Sequence, residues 1–239
     1  MYFCIPSYKR THILAKYTLP FLSKHDIDKK YIFIFAGGID QYHEYRQAFP
    51  GYNVILGRKG IANIHNDITN YFSNNEKLIL IDDDIEDLKC IDDKEYNLYW
   101  LLSKCFDDII LKGKTYFGFY AGHWQREQER IKPISDGLSY ILGCFVGVIN
   151  NRKCQIPQRV QYKEDVYRVL FNFENGGLSR YNKYYIKTKY YRKDGGLSCD
   201  RTNENERTSA EALEVLFPCY IKTYQKKDKT QFKFNRYLL

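Results

Sequence analysis

The 239-residue sequence predicts an α/β domain built on a mostly parallel sheet. Two observations carry this. Short apolar runs alternate with stretches of helical spacing from Tyr2 to Asp84. Each apolar run also ends in a polar or glycine-rich turn: Ser7-Tyr8-Lys9-Arg10, Gly37-Gly38, Gly57-Arg58-Lys59-Gly60 and Asp82-Asp83-Asp84. Right-handed βαβ crossovers would gather those turns on the carboxyl edge of the sheet, where such folds bind ligands.

The elements follow in order. Residues 2–5 form a short strand ending at Pro6-Ser7. Thr11 then caps a helix whose apolar positions Ile13, Leu14, Tyr17, Leu19 and Leu22 keep helical spacing, with Pro20 weakening its last turn. Residues 31–35 form a buried strand, 41–49 a polar helix closed by Pro50-Gly51, and 53–56 a third strand. A helix over 61–72 precedes Leu78-Ile79-Leu80-Ile81, an apolar run that reads as a strand buried on both faces. Beyond it the pattern predicts a helix over 96–111 and strands over 116–121 and 140–149. A helix over 164–173, a strand over 184–190 and a final helix over 208–216 complete the list. No repeat or linker divides the chain, so it reads as one domain over 1–239. Within it, 1–90 forms a donor-binding half and 91–201 an acceptor and catalytic half. Residues 202–239 form a last helix and a basic, aromatic tail.

Composition narrows the class. Hydrophobic residues make up 44% and charged residues 28%, which suits a packed core and excludes a disordered chain. No apolar stretch reaches the roughly 18 residues of a membrane span, and no signal peptide opens the chain, so a cytoplasmic, unsecreted protein is expected. The 7 cysteines are scattered without a CxxC pair and read as free thiols. The net charge of +8 favours a polyanionic partner such as nucleic acid, although it also serves plain solubility. Abundant Tyr, Lys and Asn with scarce Ala and Met fit an AT-rich genome, viral genomes among them.

The chemistry concentrates in few places. Asp82, Asp83 and Asp84 end a buried strand, and three adjacent carboxylates repel one another unless a cation compensates them. Asp84 with Asp82 would hold Mn²⁺ or Mg²⁺ against a diphosphate. A solvated acidic turn, or the metal site of a phosphatase or nuclease, fits the triplet as well. Glu164-Asp165 opens a predicted helix, either as a general base or as a complement to the helix dipole. Gly195-Gly196, with Ser198 and Arg201 after it, is a mobile lid over phosphates or a plain turn. Arg58, Lys59 and Gly60 could meet phosphate, His65 reads as structural, and His123-Trp124 could line an acceptor site.

Taken together the motifs resemble the glycosyltransferases of the GT-A fold. Ile5-Pro6-Ser7-Tyr8-Lys9-Arg10 is similar to their IPSxxR opening, and 60–66 to their second block, with Asn63 or His65 where an Arg is often found. The strand into Asp82-Asp83-Asp84 resembles their DxD motif, and Glu164-Asp165-Val166 their ED pair. The order of motifs over 2–201 looks most like the TET-associated glycosyltransferases, a group linked to phage and viral DNA modification.

That resemblance implies a Rossmann-like GT-A domain using a nucleotide sugar, such as a UDP-sugar, with Mn²⁺ or Mg²⁺. Donor contacts would come from Pro6, Ser7, Tyr8, Arg10, Gly37, Arg58, Gly60, Asn63, Asn66, Asp82, Asp83, Gly196 and Arg201. Asp82 and Asp84 would hold the metal, and Asp165 beside Glu164 would be the base of an inverting hexosyl transfer. The implied acceptor is a 5-hydroxymethylpyrimidine in DNA, 5-hydroxymethylcytosine among them, reached through the tail lysines and aromatics over 222–236. A glycan acceptor, or an inactive binding module, are the other readings.

Overall fold

The computed structural model describes residues 1–120, 132–189, 196, 201–226 and 229–235. Every statement below concerns those residues. His123, Trp124, Gly195, Ser198, Lys227 and Arg236 lie outside them.

The chain begins with β1 (Tyr2–Ser7), α1 (Thr11–Lys16), α2 (Thr18–Lys24), β2 (Ile32–Gly37), α3 (Ile39–Ala48), β3 (Asn53–Gly57), α4 (Ile61–Tyr71) and β4 (Lys77–Ile81). It continues with β5 (Ile85–Cys90), α5 (Leu98–Leu111), β6 (Tyr116–Tyr120), β7 (Ile134–Ser135), β8 (Phe145–Ile149) and α6 (Glu164–Glu174). Last come β9 (Leu178–Thr188), α7 (Asn203–Leu216), β10 (Ile221–Lys226) and β11 (Lys229–Phe234).

A 9-stranded sheet runs β3-β2-β1-β4-β8-β6-β9-β5, with β7 also on β9. β1 to β4, β6 and β9 share one direction, and β5, β7 and β8 oppose them. The expected α/β architecture with a mostly parallel sheet is therefore present, as a single domain. Alternation along β1 and β4 divides the interior. Phe3, Ile5, Ile79 and Ile81 pack on one side with Leu14, Leu22, Tyr45, Leu102 and Phe106 of α1, α2, α3 and α5. Cys4, Leu78 and Leu80 pack on the other with Ala62, Ile68, Val169 and Leu213 of α4, α6 and α7.

Several expectations change. The single helix from Thr11 is two helices broken at Tyr17 (φ −120°, ψ −74°). Pro20 has no N–H to return to Lys16, so the break falls before it, and proline sits comfortably in the first turn of α2. β5 was not expected, because Glu86, Asp87 and Lys89 hide its buried Ile85, Leu88 and Cys90. β9 starts at Leu178 rather than 184. The strand expected over 140–149 begins only at Phe145, leaving 140–144 as an irregular approach. α7 starts earlier than 208, at Asn203, where the Thr202 side chain accepts the Asn205 N–H and caps it. The tail forms a β10–β11 hairpin whose Phe232 and Phe234 pack against the α6–α7 side.

Candidate active site

The shared strand direction brings Ser7, Gly37, Gly57 and Ile81 to one edge of the sheet. The opposed strand β8 starts there too, since Phe145 pairs with Ile81 and Asp82 N–H donates to the Cys144 carbonyl at 2.8 Å. A cleft of about 540 Å³ opens on this edge. It is lined by Pro6, Ser7, Tyr8, Arg10, Gly60, Asp82, Asp83, Asp84, Glu164, Asp165, Gly196 and Arg201, all singled out from sequence. Lys59, Tyr140, Gly143, Gln161, Tyr162, Thr188, Thr202, Asn203 and Glu206 complete most of the wall.

The acidic turn is held from below. The Thr18 hydroxyl donates to the Asp82 carbonyl at 2.7 Å and accepts the Ile85 N–H at 2.9 Å, spanning the triplet. Asp83 is turned inward. It accepts from the Ser7 hydroxyl at 2.6 Å and pairs with Arg10 Nη1 at 3.3 Å. Tyr45 Oη lies 2.7 Å from Ser7 Oγ and accepts the Arg10 N–H at 3.0 Å, which ties β1 to α3 beneath the cleft. Burial lifts the Asp83 carboxyl to about 6 against the pull of Arg10 and Ser7. Asp82 is raised well above the ordinary carboxylate range, by burial first and then by the charges of Asp84, Asp83 and Glu164.

The second acidic pair sits at the start of α6, where the helix N-terminus favours negative charge. The two residues have different partners. Glu164 Oε2 accepts Arg168 Nε–H at 2.8 Å, with Arg168 Nη2 also at 2.8 Å and His65 Nε2 at 3.7 Å. Burial lifts Glu164 to about 7 despite the Arg168 charge. His65 is driven well below its ordinary value by burial and by Arg168, so it stays neutral. Asp165 Oδ2 accepts the Tyr140 hydroxyl at 2.9 Å and its Oδ1 accepts the Val166 N–H at 2.9 Å. Each carboxylate oxygen keeps lone-pair capacity for a further donor.

Four of the expected donor contacts stand outside the cleft wall. Arg58 is folded onto Asp67 (Nη2–Oδ1 2.6 Å). Asn63 donates to the Lys59 carbonyl at 2.7 Å and accepts from Gln158. Asn66 is buried, clamping the Ile156 backbone through both amide atoms (3.0 and 2.7 Å). Gly37 is a close-approach position, where a Cβ would stand 3.1 Å from Ile64 and 3.2 Å from Tyr8. Gly196, by contrast, lies on the cleft with φ +58°, its N–H donating to the Tyr8 carbonyl at 3.1 Å. Arg201 pairs with Glu206 at 2.5 Å, and Lys163 reaches the same carboxylate at 3.5 Å.

Sequence reasoning missed Tyr140, Tyr45, Arg168 and Gly143. Arg168 had a signal, the i,i+4 spacing from Glu164 on one helix. Tyr140, Tyr45 and Gly143 had none, because their partners are distant in sequence.

The donor set suits a divalent cation in an open site. Among the described residues no three His, Cys, Asp or Glu form a metal-binding group. Asp83 is committed to Ser7 and Arg10, and Asp82 and Asp84 line the same cleft and could hold a cation there. Two carboxylates completed by phosphate oxygens and water is a normal arrangement for Mg²⁺. Burial first, and then the neighbouring carboxylates, disfavour charge on Asp82, and a cation there would offset both.

The chain matches no family model and no curated protein sequence. Solved structures do match it. Glucosyl-3-phosphoglycerate synthase from Mycobacterium tuberculosis, in complex with phosphoglyceric acid, superposes with a TM-score of 0.54 at 11% identity, covering 92% of this chain and 82% of that one. The same enzyme with Mg²⁺ and UDP gives 0.51 at 11% identity, over 97% and 85%. With Mn²⁺ and UDP-glucose it gives 0.51 at 10% identity, over 97% and 85%. Likeness at this identity establishes the shared fold, that of GT-A glycosyltransferases.

Proposed function

We propose that this chain is a metal-dependent glycosyltransferase. It would move a sugar from a nucleoside diphosphate sugar, a UDP-sugar first among them, to a hydroxyl acceptor. The observation that carries this is the meeting of two acidic groups on one cleft at the carboxyl edge: Asp82 and Asp84 from the turn after β4, Asp165 from α6. The likeness to a fold that holds UDP-glucose with Mn²⁺ supports the donor and the metal.

The roles follow from the partners. Asp82 and Asp84 would hold Mn²⁺ or Mg²⁺, which when bound neutralises the charge developing on the leaving diphosphate. Arg10, fixed by Asp83, and Lys59, over the Tyr8 ring at 5.6 Å, stand on the donor side of the cleft. Asp165 takes the proton of the acceptor hydroxyl. The freed oxygen bonds to sugar C1 as the bond from C1 to the phosphate oxygen breaks on the opposite side, so the anomeric configuration inverts. Glu164 is bound to Arg168 and serves to shape the site rather than to accept the proton.

For the acceptor we propose a hydroxymethylated pyrimidine in DNA. The motif order supports it, as does the outer face of the β10–β11 hairpin, where Lys222 lies opposite Lys233 beside Tyr224 and Lys226. Facing like charges disfavour the hairpin, and phosphate would compensate them. Among the described residues no helix is long and apolar enough to cross a membrane.

The test is UDP release from a panel of UDP-sugars with Mn²⁺ or Mg²⁺, with and without hydroxymethylcytosine DNA or glycan acceptors. Asp84→Ala should abolish metal-dependent release. Asp165→Asn should lower transfer by roughly 10²–10⁴-fold, the usual size of a general-base contribution, and leave donor binding intact. Full activity in Asp165→Asn refutes the base, and release stimulated only by a glycan refutes the DNA acceptor.

A further inference from the structure

The candidate base is held by a residue that the C-terminal hairpin seats. Tyr140 lies in the irregular approach to β8 and lines the cleft. Its hydroxyl is 2.9 Å from Asp165 Oδ2. Because Oδ1 is fixed by the Val166 N–H, the two bonds together set the rotation of the carboxylate about its last torsion. The Tyr140 backbone is anchored separately, since its carbonyl accepts Arg180 Nη1 at 3.0 Å. The ring has a different support. Phe232 of β11 packs against it with centroids 6.1 Å apart, and Phe234 stands 5.7 Å behind Phe232. Phe232 lies opposite Thr223 in the hairpin, and Thr223 is tied by backbone and hydroxyl to Glu214 of α7. A continuous line of contacts thus runs from α7 through Phe232 and Tyr140 to Asp165.

We propose that Tyr140 is a positioning residue for Asp165, and that the C-terminal hairpin acts on the reaction by seating Tyr140 through Phe232. This rests on the glycosyltransferase reading above. A hydroxyl on one carboxylate oxygen leaves the other lone pairs aimed at the acceptor. Without it the carboxylate can turn about its terminal torsion, which is broad and soft. Misplacement of a reacting group by about 1 Å costs on the order of 10²-fold in rate, whereas donor contacts from Tyr8, Arg10 and the acidic turn are untouched.

The experiment uses the full chain and two readouts. In steady-state transfer, Tyr140→Phe should lower kcat by about 10–100-fold with the donor KM unchanged, since only the oriented attack is lost. Phe232→Ala should lower kcat in the same way, Phe232→Leu should restore most of it, and Tyr140→Phe with Phe232→Ala should be no worse than Tyr140→Phe alone. The second readout needs no turnover. A 3-fluorotyrosine placed at 140 should change its ¹⁹F resonance on Asp165→Asn and on Phe232→Ala, with the melting temperature of Tyr140→Phe within a few degrees of the parent. An unaltered kcat in Tyr140→Phe, additive losses in the double variant, or a ¹⁹F signal blind to Phe232→Ala overturns the proposal. If no donor is turned over while the ¹⁹F signal responds to both changes, the glycosyltransferase reading fails and takes the catalytic role of Tyr140 with it. An active parent with an unresponsive ¹⁹F signal overturns the proposal and leaves the glycosyltransferase reading standing.

Discussion

Gly143 shows how little room surrounds the candidate base. A Cβ there would lie 2.7 Å from Arg168 Nη2 and 2.7 Å from the Asp165 Cβ. Neither neighbour can retreat cheaply, because Arg168 is buried on Glu164 and Asp165 is held at both oxygens. Gly143→Ala should therefore push the start of α6 and lower transfer at least tenfold, while destabilising the fold by about 1–3 kcal/mol, as overpacking does. A parent-like kcat and melting temperature would show that the approach to β8 yields freely. At this scale the sequence was readable where neighbours in chain act together. The crowding of Asp82, Asp83 and Asp84 and the pairing of Glu164 with Asp165 needed only adjacency and the end of a predicted strand or helix. Tyr140, Tyr45 and Gly143 gained their roles from partners that only the folded chain brings near. Arg58 and Asn66 failed in the opposite direction: polar side chains beside a phosphate-like turn were each absorbed by a structural partner, Asp67 and the Ile156 backbone.

Elements were legible where period and breaker agreed. β1 to β4 carry short apolar runs that end at a polar, glycine or acidic turn, α3 stops before Pro50-Gly51 and α4 has helical spacing of its apolar residues, so only their ends moved. β5 and the first half of β9 were hidden because Glu86, Asp87 and Lys89 interrupt the one, and the buried Ser179 and Asn182 with the exposed Lys183 interrupt the other, residues that local preference assigns to loops. β5 is stabilised by pairing with Tyr184–Thr188, and the first half of β9 by pairing with β6 and β7, none of which can be seen from one segment. Two side chains hold elements in place. Asn150 Nδ2 donates to the carbonyls of Thr69, Phe72 and Ser73 at 3.0, 3.0 and 2.9 Å, closing the end of α4 on the sheet edge opposite the cleft. Asn150→Ala removes the amide donor from all three; the Phe72 carbonyl keeps Arg152 Nε–H at 2.9 Å, and urea unfolding should report a loss of about 1–3 kcal/mol. Asp136 joins the end of α5 to β9, accepting from Lys114 at 2.5 Å and from Ser179 at 2.6 Å. Burial works against its charge, but Lys114, Ser179 and Lys112 draw its carboxyl down to about 2 from an ordinary 3.8. A depressed folded value means that the stabilisation is whole above about pH 4 and is lost as pH falls through about 2. Asp136→Asn should remove that part of the acid dependence. Its cost at neutral pH should stay below about 1 kcal/mol, because the group is partly exposed and screened. An unchanged acid limb would assign the effect elsewhere.

Across the whole molecule, the net charge of +8 gains a location in the hairpin. β10 and β11 place Lys222 against Lys233, with Lys226 also on the face turned away from Phe232. Lys222, Lys226 and Lys233 are exposed. Opposed cations cost a two-stranded ribbon stability that an alternation with glutamate would have spared. The same hairpin contacts Tyr140 on its inner face, so a polyanion on the outer face would lie one strand's thickness from the side chain that holds Asp165. This gives the DNA acceptor a quantitative test that does not depend on turnover. Each lysine that neutralises a duplex phosphate contributes about −0.9 to the slope of log affinity against log salt. Replacing Lys222, Lys226 and Lys233 by Gln should flatten that slope by up to about 2.7, weaken duplex binding evenly across sequences, and leave UDP-sugar binding alone. Lys16→Gln with Lys24→Gln, on the exposed ends of α1 and α2, should leave the slope where it was. The hairpin variant should also melt slightly higher than the parent, because the facing charges are gone. Equal flattening by the two sets would reduce the charge to a general attraction, and binding without salt dependence would remove DNA from the surface altogether.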